Sequence, residues 1–303
     1  MIPEIDFEAM RARDAVVMSD LRDGARDIGF LTLHNTPLKG PRVQRVIHAY
    51  RSFFQLPQRA KEAVDMARTG SNRGWGAPGS EQVDPHANPD YKQVFDCGFE
   101  LAADDPLRAA ALSVYADNQW PAGEVDFRAE VQAYYTEALS VAQHVLTGIA
   151  AAIGADEAYF ADKFTRPMAL LRGNYYPPRP DWAGEKDFGI ATHTDYGCIT
   201  LLATDGTPGL EVRKKGGGWI PVTAQPGTFV INFGEMLEMW TEGAVRATPH
   251  RVVGGSQERI SVPLFFNPNH DANVASPGQT APILAGAHLA RRFSETYTHL
   301  QKR

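Results

Sequence analysis

The sequence predicts a mixed α and β protein in which a jelly-roll or barrel of short strands is wrapped by helices from both ends. Three observations predict it. The first part of the chain carries apolar residues at three- and four-residue steps, the spacing of one helix face. From Met168 the pattern breaks into about eight short runs separated by Gly and Pro, which is strand-and-turn chemistry. Residues 285–300 then return to helical spacing.

In order, residues 3–7 read as a short strand, 8–27 as a helix, 29–34 as a strand and 43–56 as a helix. The clearest element is a long amphipathic helix. Phe127, Val131, Tyr134, Ala138, Ala142, Val145, Ile149 and Ile153 form its apolar stripe. Asp156 is placed to cap a short helix after it. The strand runs are 168–176, 188–192, 198–204, 209–213, 219–222, 228–233, 246–253 and 259–266. Lys214-Lys-Gly-Gly-Gly218 reads as a hairpin loop, and no helix follows it to make a phosphate cradle. No repeat or low-complexity linker divides the chain. Residues 1–303 therefore read as one domain, with a mainly helical part at 1–165, a jelly-roll core at 166–284 and a closing helix at 285–303.

Composition narrows the function classes. The chain has 303 residues, 43% hydrophobic and 22% charged, which is ordinary for a globular protein. A formal charge of −6 argues against nucleic acid or an anionic membrane as partner. Two cysteines, Cys97 and Cys198, are too few for a disulfide framework and suit a reducing cytosol. The acidic start lacks the lysines and apolar run of an export signal. The most apolar stretch, 138–155, is interrupted by Gln143 and His144, so no membrane span is expected.

The chemistry concentrates in the strand region. His193-Thr194-Asp195 and, about 55 residues on, His250 supply two imidazoles and a carboxylate, a set that binds a ferrous ion while leaving positions open. On a strand, His193 and Asp195 leave the same face. Arg259 and Ser261 share a strand face in the same way, a guanidinium and a hydroxyl suited to gripping a carboxylate. Arg172, Asn174 and Tyr176 form one polar face of the 168–176 strand, opposite Ala169, Leu171 and Gly173. Buried polar faces are costly unless they bind something.

With these residues in place, the chain resembles the iron(II)- and 2-oxoglutarate-dependent dioxygenases of the isopenicillin N synthase type. The resemblance runs nearly end to end, through Ile2-Pro-Glu-Ile-Asp6, Gly29-Phe30, Asn118-Gln-Trp-Pro121 and Leu171-Arg-Gly-Asn-Tyr-Tyr-Pro177. It continues in His193-Thr-Asp-Tyr-Gly197, Pro208-Gly-Leu210, Asn232-Phe-Gly-Glu235, Pro249-His-Arg251 and Arg259-Ile-Ser261. It implies a double-stranded β-helix (jelly-roll) core and iron(II) on His193, Asp195 and His250. It also implies 2-oxoglutarate held by Arg259 and Ser261 with help from Asn174 and Tyr176, and O2 as co-reactant. The implied activity is hydroxylation of a small molecule, with release of succinate and carbon dioxide.

Two positions depart from the usual pattern. Glu235 stands where Asp is common, a change expected to be harmless. Tyr196 stands where many plant members carry Pro; the bacterial ethylene-forming enzyme and the plant homoarginine hydroxylases also have Tyr there, and in motif the chain is most similar to these. Arg172 matches a basic position near the substrate or cosubstrate carboxylate, and Tyr196 is expected at the pocket wall. Residues 73–84 resemble the substrate-covering segment, where Glu81, Gln82 and Asp84 are expected to meet a guanidinium or ammonium. Asn88-Pro-Asp-Tyr-Lys92 matches a neighbouring motif, which places Phe95 near the pocket. Together these point to a small polar, arginine-like substrate. Cys198 reads as strand packing. His34, His48, His86, His144, His270, His288 and His299 lack partner spacing. Two other readings stay open: an iron oxidase of this fold that works without 2-oxoglutarate or forms ethylene, and a silent binding protein.

Overall fold

The computed structural model describes residues 2–297 and Leu300. The chain opens with β1 (Glu4–Asp6), α1 (Phe7–Arg11), α2 (Ala15–Asp27), β2 (Phe30–His34) and α3 (Gly40–Phe54). The short α4 (Gln58–Glu62) and α5 (Met66–Thr69) lead to β3 (Gly74–Gly76) and β4 (Gln93–Gly98), and two 3-10 turns precede the long α6 (Val125–Ala152). The strand-rich part holds β5 (Leu170–Tyr176), β6 (Ile190–His193), β7 (Ile199–Thr204), β8 (Leu210–Arg213), β9 (Trp219–Val222) and β10 (Phe229–Phe233). It ends with α7 (Glu235–Trp240), β11 (His250–Val252), β12 (Arg259–Phe266) and α8 (Ala285–Thr296).

The strands form two sheets, one of eight in the order β1-β2-β10-β7-β12-β5-β4-β3 and one of four in the order β6-β11-β8-β9. From β5 to β12 the chain passes back and forth between them, which makes the jelly-roll. Between these strands of the described residues, every ladder is antiparallel except that of β1 with β2.

Alternation along the strands builds two cores. In β12, Ile260, Val262, Leu264 and Phe266 face the helices, while Arg259, Ser261, Pro263 and Phe265 face a cavity between the sheets. In β5, Leu171 packs towards the helices and Arg172, Asn174 and Tyr176 line that cavity. Gly173 lies on the helix side because nothing larger fits: a Cβ there would stand 2.1 Å from Cδ1 of Tyr50. Tyr50 and Phe53 of α3, Phe95 of β4 and Phe127 of α6 form an aromatic cluster, with Phe53 and Phe95 centroids 4.6 Å apart. Each buried Phe contributes on the order of 1.5–3 kcal/mol through area removed from water. A smaller core of Phe30, Leu210, Val212, Val230 and Val252 fills the sandwich alongside the cavity, with Phe30, Leu210 and Val252 in its lining.

All eight strand runs predicted after Met168 appear. The differences have identifiable causes. The helix expected at 8–27 is two helices, because Arg13 turns to φ 59 and Asp14 accepts hydrogen bonds from the amides of Val16 and Val17 to start α2 afresh. The strand expected at 246–253 shrinks to β11. Its first residues pair with the α2–β2 corner instead: Arg246 N donates to Ala25 O at 2.9 Å and Thr248 Oγ1 to Ile28 O at 2.7 Å. Asp156 caps a turn through the Ala158 amide, and the helical turn that follows is 3-10, at Ala161–Phe164. Strands β3 and β4 lie inside the part expected to be mainly helical. They are short, and β4 pairs with β5, whose residues lie far along the chain (Asp96 opposite Arg172). The closing helix ends at Thr296, and the remainder of its predicted span includes residues outside those described. No helix of the described residues is long and apolar enough to cross a membrane.

Candidate active site

Strand register delivers the two histidines. His250 of β11 lies directly opposite His193 of β6, which closes the long gap between them in sequence. β6 stops at His193, so Asp195 sits just beyond it in a tight turn rather than on the strand as its spacing suggested. The turn is shaped by backbone contacts: Glu235 N donates to Asp195 O at 2.8 Å and Met236 N to Gly197 O at 3.1 Å. Gly234 permits this closeness, since a Cβ there would meet Gly197 O at 2.3 Å.

Each side chain is held so that one atom is left for a ligand. The His193 Nδ1 contacts Ala191 O at 2.9 Å and the His250 Nδ1 contacts Thr248 O at 3.1 Å, so both Nε2 atoms are free. Asp195 Oδ2 accepts from Thr200 Oγ1 and, at 2.7 Å, from Asn232 Nδ2, while Oδ1 faces both imidazoles at 3.7 Å. The three residues offer ligand atoms within 4.8 Å of one another, the one such group among the described residues. Burial and the neighbouring His250 push the His193 pKa down to about 3, so its imidazole is neutral and keeps its lone pair. Burial raises the Asp195 pKa, but the neighbouring His250 and the hydrogen bonds from Thr200 and Asn232 outweigh it and hold the carboxylate below its usual range. Neutral imidazoles and an ionised carboxylate are the forms that bind a divalent metal. Of the other histidines, His34, His48, His86, His144, His270 and His288 lie outside this group and His299 lies outside the described residues.

A cavity of about 360 Å³ opens beside this group. Arg259 and Ser261 line it, with Asn174 and Tyr176 opposite them across the β12–β5 register. Arg259 Nε donates to Thr207 O at 3.2 Å and its guanidinium lies over the Tyr176 ring at 5.1 Å. Its Nη1 is buried without a hydrogen-bond partner, as is Asn174 Oδ1. Ser261 Oγ accepts from Asn174 Nδ2 at 3.3 Å. A buried, unpaired guanidinium donor is costly unless a ligand meets it, and a carboxylate fits that donor.

The remaining polar wall is a buried ion cluster. Arg172 donates to Asp96 through Nε at 2.8 Å and Nη2 at 2.6 Å, to Glu81 Oε2 through Nη1 at 3.0 Å, and to Tyr297 Oη at 2.6 Å. Lys92 Nζ lies 2.8 Å from Glu81 and 2.7 Å from Asp90. Burial works against the Arg172 charge, but Asp96 and Glu81 outweigh it and hold the guanidinium protonated. Burial likewise raises the Glu81 pKa, and Arg172 and Lys92 more than reverse this, bringing it to about 2. Asp90 Oδ1 accepts from Ala191 N, which ties the cluster to the strand that carries His193.

Of the residues expected at the substrate, Arg172, Tyr196 and Glu81 line the cavity, and Gln82, Asp84 and Phe95 do not. Glu81 does meet a guanidinium, that of the chain's own Arg172. Gln82 is spent on Ala87 O, and Asp84 caps the local turn at His86. Phe95 falls on the helix-facing side of β4, within the aromatic cluster. The Cys198 thiol is buried and pushed up by that burial, as packing rather than reactivity requires. Sequence reasoning assigned no role to Asp90, Lys92, Asp96, Thr200, Asn232 or Tyr297. A signal existed for Thr200 and Asn232: each is a polar residue on the inward parity of a mostly apolar strand.

Comparison with known proteins gives the family. Residues 167–268 match the 2OG-Fe(II) oxygenase superfamily, and residues 2–123 match the family described as non-haem dioxygenase in morphine synthesis N-terminal. A 2-oxoglutarate-Fe(II) type oxidoreductase of Aspergillus fumigatus is 31% identical over 278 residues, 89% of this chain and 82% of that protein. The homoarginine-6-hydroxylase 2-ODD-233 of Oryza sativa is 31% identical, covering 85% of this chain and 79% of its own. The crystal structure of a full-length Neurospora crassa protein in complex with alpha-KG superimposes with a TM-score of 0.84 at 29% identity, over 97% of this chain and 96% of that one. The chain belongs to the 2-oxoglutarate–iron(II) oxygenase superfamily. It is a 2-oxoglutarate-dependent dioxygenase, and iron(II), 2-oxoglutarate and O2 are its cofactor, cosubstrate and co-reactant.

Proposed function

We propose that His193, Asp195 and His250 hold the iron, that Arg259 and Ser261, with Asn174 and Tyr176, hold the far carboxylate of 2-oxoglutarate, and that the rest of the cavity takes the substrate. The observation that carries this reading is the pairing of a compact His–Asp–His group with a buried, unpaired Arg259 Nη1 in the same cavity. Bound iron supplies the redox chemistry with O2 by which 2-oxoglutarate yields succinate and carbon dioxide while substrate is oxidised. The protein's residues do the rest. Thr200 and Asn232 orient the carboxylate of Asp195, the two backbone carbonyls orient the imidazoles, and the inter-sheet core keeps water from one side.

For the substrate, the arrangement favours a small, uncharged planar molecule over the arginine-like one that the sequence suggests through Tyr196 and residues 81–84. Both Glu81 oxygens are already met within the chain, Oε1 by Arg172 Nη2 and Oε2 by Lys92 Nζ, each at 2.8 Å, so neither is left for an entering guanidinium. Tyr196, Phe265, Phe293 and Tyr297 supply aromatic walls. The Neurospora protein has also been crystallised in complex with thymine, a ring of that kind. A cytosolic home fits the two free, buried cysteines.

The experiment is anaerobic titration of the iron(II) protein with 2-oxoglutarate, followed by a succinate-release screen in air. The expected results are a weak visible charge-transfer band and succinate release stimulated by thymine-like rings. Stimulation by homoarginine or arginine and not by neutral rings would restore the arginine-like reading. No band and no succinate would sink the ligand assignment altogether.

A further inference from the structure

Asp195 lies past the end of its strand, so no ladder holds it, and the residues on either side of it are gripped from elsewhere. Thr194 Oγ1 donates to Glu235 Oε1. The same oxygen accepts from Arg292 Nη2 of α8 at 3.2 Å. The Arg292 guanidinium also lies over the ring of Tyr196, 4.3 Å from its centroid. One turn further along α8, Thr296 hydrogen-bonds with the Tyr196 hydroxyl. A single side chain of the closing helix therefore reaches both sequence neighbours of Asp195, one through Glu235 and one through a ring face. The Glu235 backbone meanwhile donates to the carbonyl of Asp195 itself.

We propose that Arg292 is a positioning residue that couples α8 to the turn carrying Asp195. It steadies the backbone from which that carboxylate projects, the carboxylate itself being oriented by Thr200 and Asn232, and holds Tyr196 as a cavity wall. The inference rests on the reading of Asp195 as an iron ligand. The physical case is that a ligand on a turn is only as well aimed as the groups that brace the turn. Here the brace is a charge-assisted hydrogen bond plus a cation–π contact, both from one guanidinium. Glu235 completes it, an acid with one more methylene than the Asp common at that position, which spans between Thr194 and Arg292.

The test uses the full chain and the variants Arg292→Ala, Arg292→Lys, Glu235→Ala and the Arg292→Ala/Glu235→Ala pair. Arg291→Ala, on the exposed side of the same helix, is the control. Hydrogen exchange of the amides of residues 194–198 is read in metal-free protein, and Co(II) affinity is read by visible absorption. Arg292→Ala should speed exchange in 194–198 and weaken Co(II) binding, each on the order of tenfold, while amides of residues 289–291 keep their protection. Arg292→Lys should recover part of the loss, and the double variant should lose little more than either single one, as members of one link do. Unchanged exchange in 194–198, or additive losses in the pair, would overturn the proposal. Should Arg292→Ala unseat α8 as a whole, Glu235→Ala decides, because it removes the oxygen that Thr194 and Arg292 share. Faster exchange in 194–198 with α8 intact supports the brace, and unchanged exchange refutes it. If wild-type protein binds no metal, the ligand reading falls, whereas the exchange data still judge the brace.

Discussion

Arg172 and Asp96 face each other across β5 and β4 as a two-pronged pair, with Nε to Oδ1 at 2.8 Å and Nη2 to Oδ2 at 2.6 Å. The fork is buried, and it turns what reads in the sequence as a substrate-facing cation into part of a finished wall. Glu81, Lys92 and Asp90 extend the same wall to the strand that ends in His193.

Removing one side of that fork leaves a buried charge half-answered. Asp96→Asn should cost about 3–5 kcal/mol, read as a lowered urea midpoint. A midpoint within experimental error of wild type would show that the pair contributes nothing.

Glu81 gives a pH signature. Its folded pKa of about 2 lies below the ordinary 4.5, so its contribution is present in full above pH 4.5 and is lost as pH falls towards 2. Asp90 and Asp96 are pushed up by burial and act in the opposite sense, so the difference between wild type and Glu81→Gln is the quantity to follow. That difference should be on the order of 3 kcal/mol at pH 6 and shrink between pH 4.5 and 2. A difference that does not change with pH would refute the assignment.

Arg259→Lys and Arg259→Ala address the cosubstrate. A charge-assisted contact contributes about 1.5–3 kcal/mol, so Arg259→Ala should raise the Kd for 2-oxoglutarate by roughly 10- to 100-fold with iron affinity unchanged. Lysine restores the charge but not the planar fork, so it should recover only part of the loss. Equal losses of iron and 2-oxoglutarate binding would mean that the variant had disturbed the fold instead.

Phe95→Ala separates packing from recognition. Phe95 is fully buried among Tyr50, Phe53 and Phe127, so truncation should cost about 3–5 kcal/mol and leave 2-oxoglutarate affinity within about twofold in protein that remains folded. Gly173→Ala should also destabilise, by about 1–3 kcal/mol, because its Cβ would strike Tyr50. Thermal melts and calorimetric titration of the same samples distinguish the two effects. A changed substrate preference with unchanged stability would return Phe95 to the pocket.

Much of the fold was legible because jelly-roll strands are short, alternate strictly and are punctuated by Gly and Pro. Arg259 and Ser261 could be set on one face from a spacing of two, and β12 bears that out. Strand β4 was not legible. Its Gln93–Gly98 run has no long apolar signature, and its partner residues lie far away, Asp96 being 76 positions from Arg172. The same distance explains the misplacement of Phe95: without β4, no face could be assigned to it.

By itself, the sequence determined the alternating strands, the two imidazoles and carboxylate available to a metal, and the guanidinium and hydroxyl available to a carboxylate. These are local properties, set by residue type and a side-chain period of two or 3.6. Only the tertiary structure decided which charges were already answered. Arg172 meets Asp96 and also Tyr297, 125 positions away, while Arg292 reaches back to Glu235 and Tyr196. Whether a charge is free for a substrate depends on the register between strands and helices remote in sequence, and no local period encodes that register.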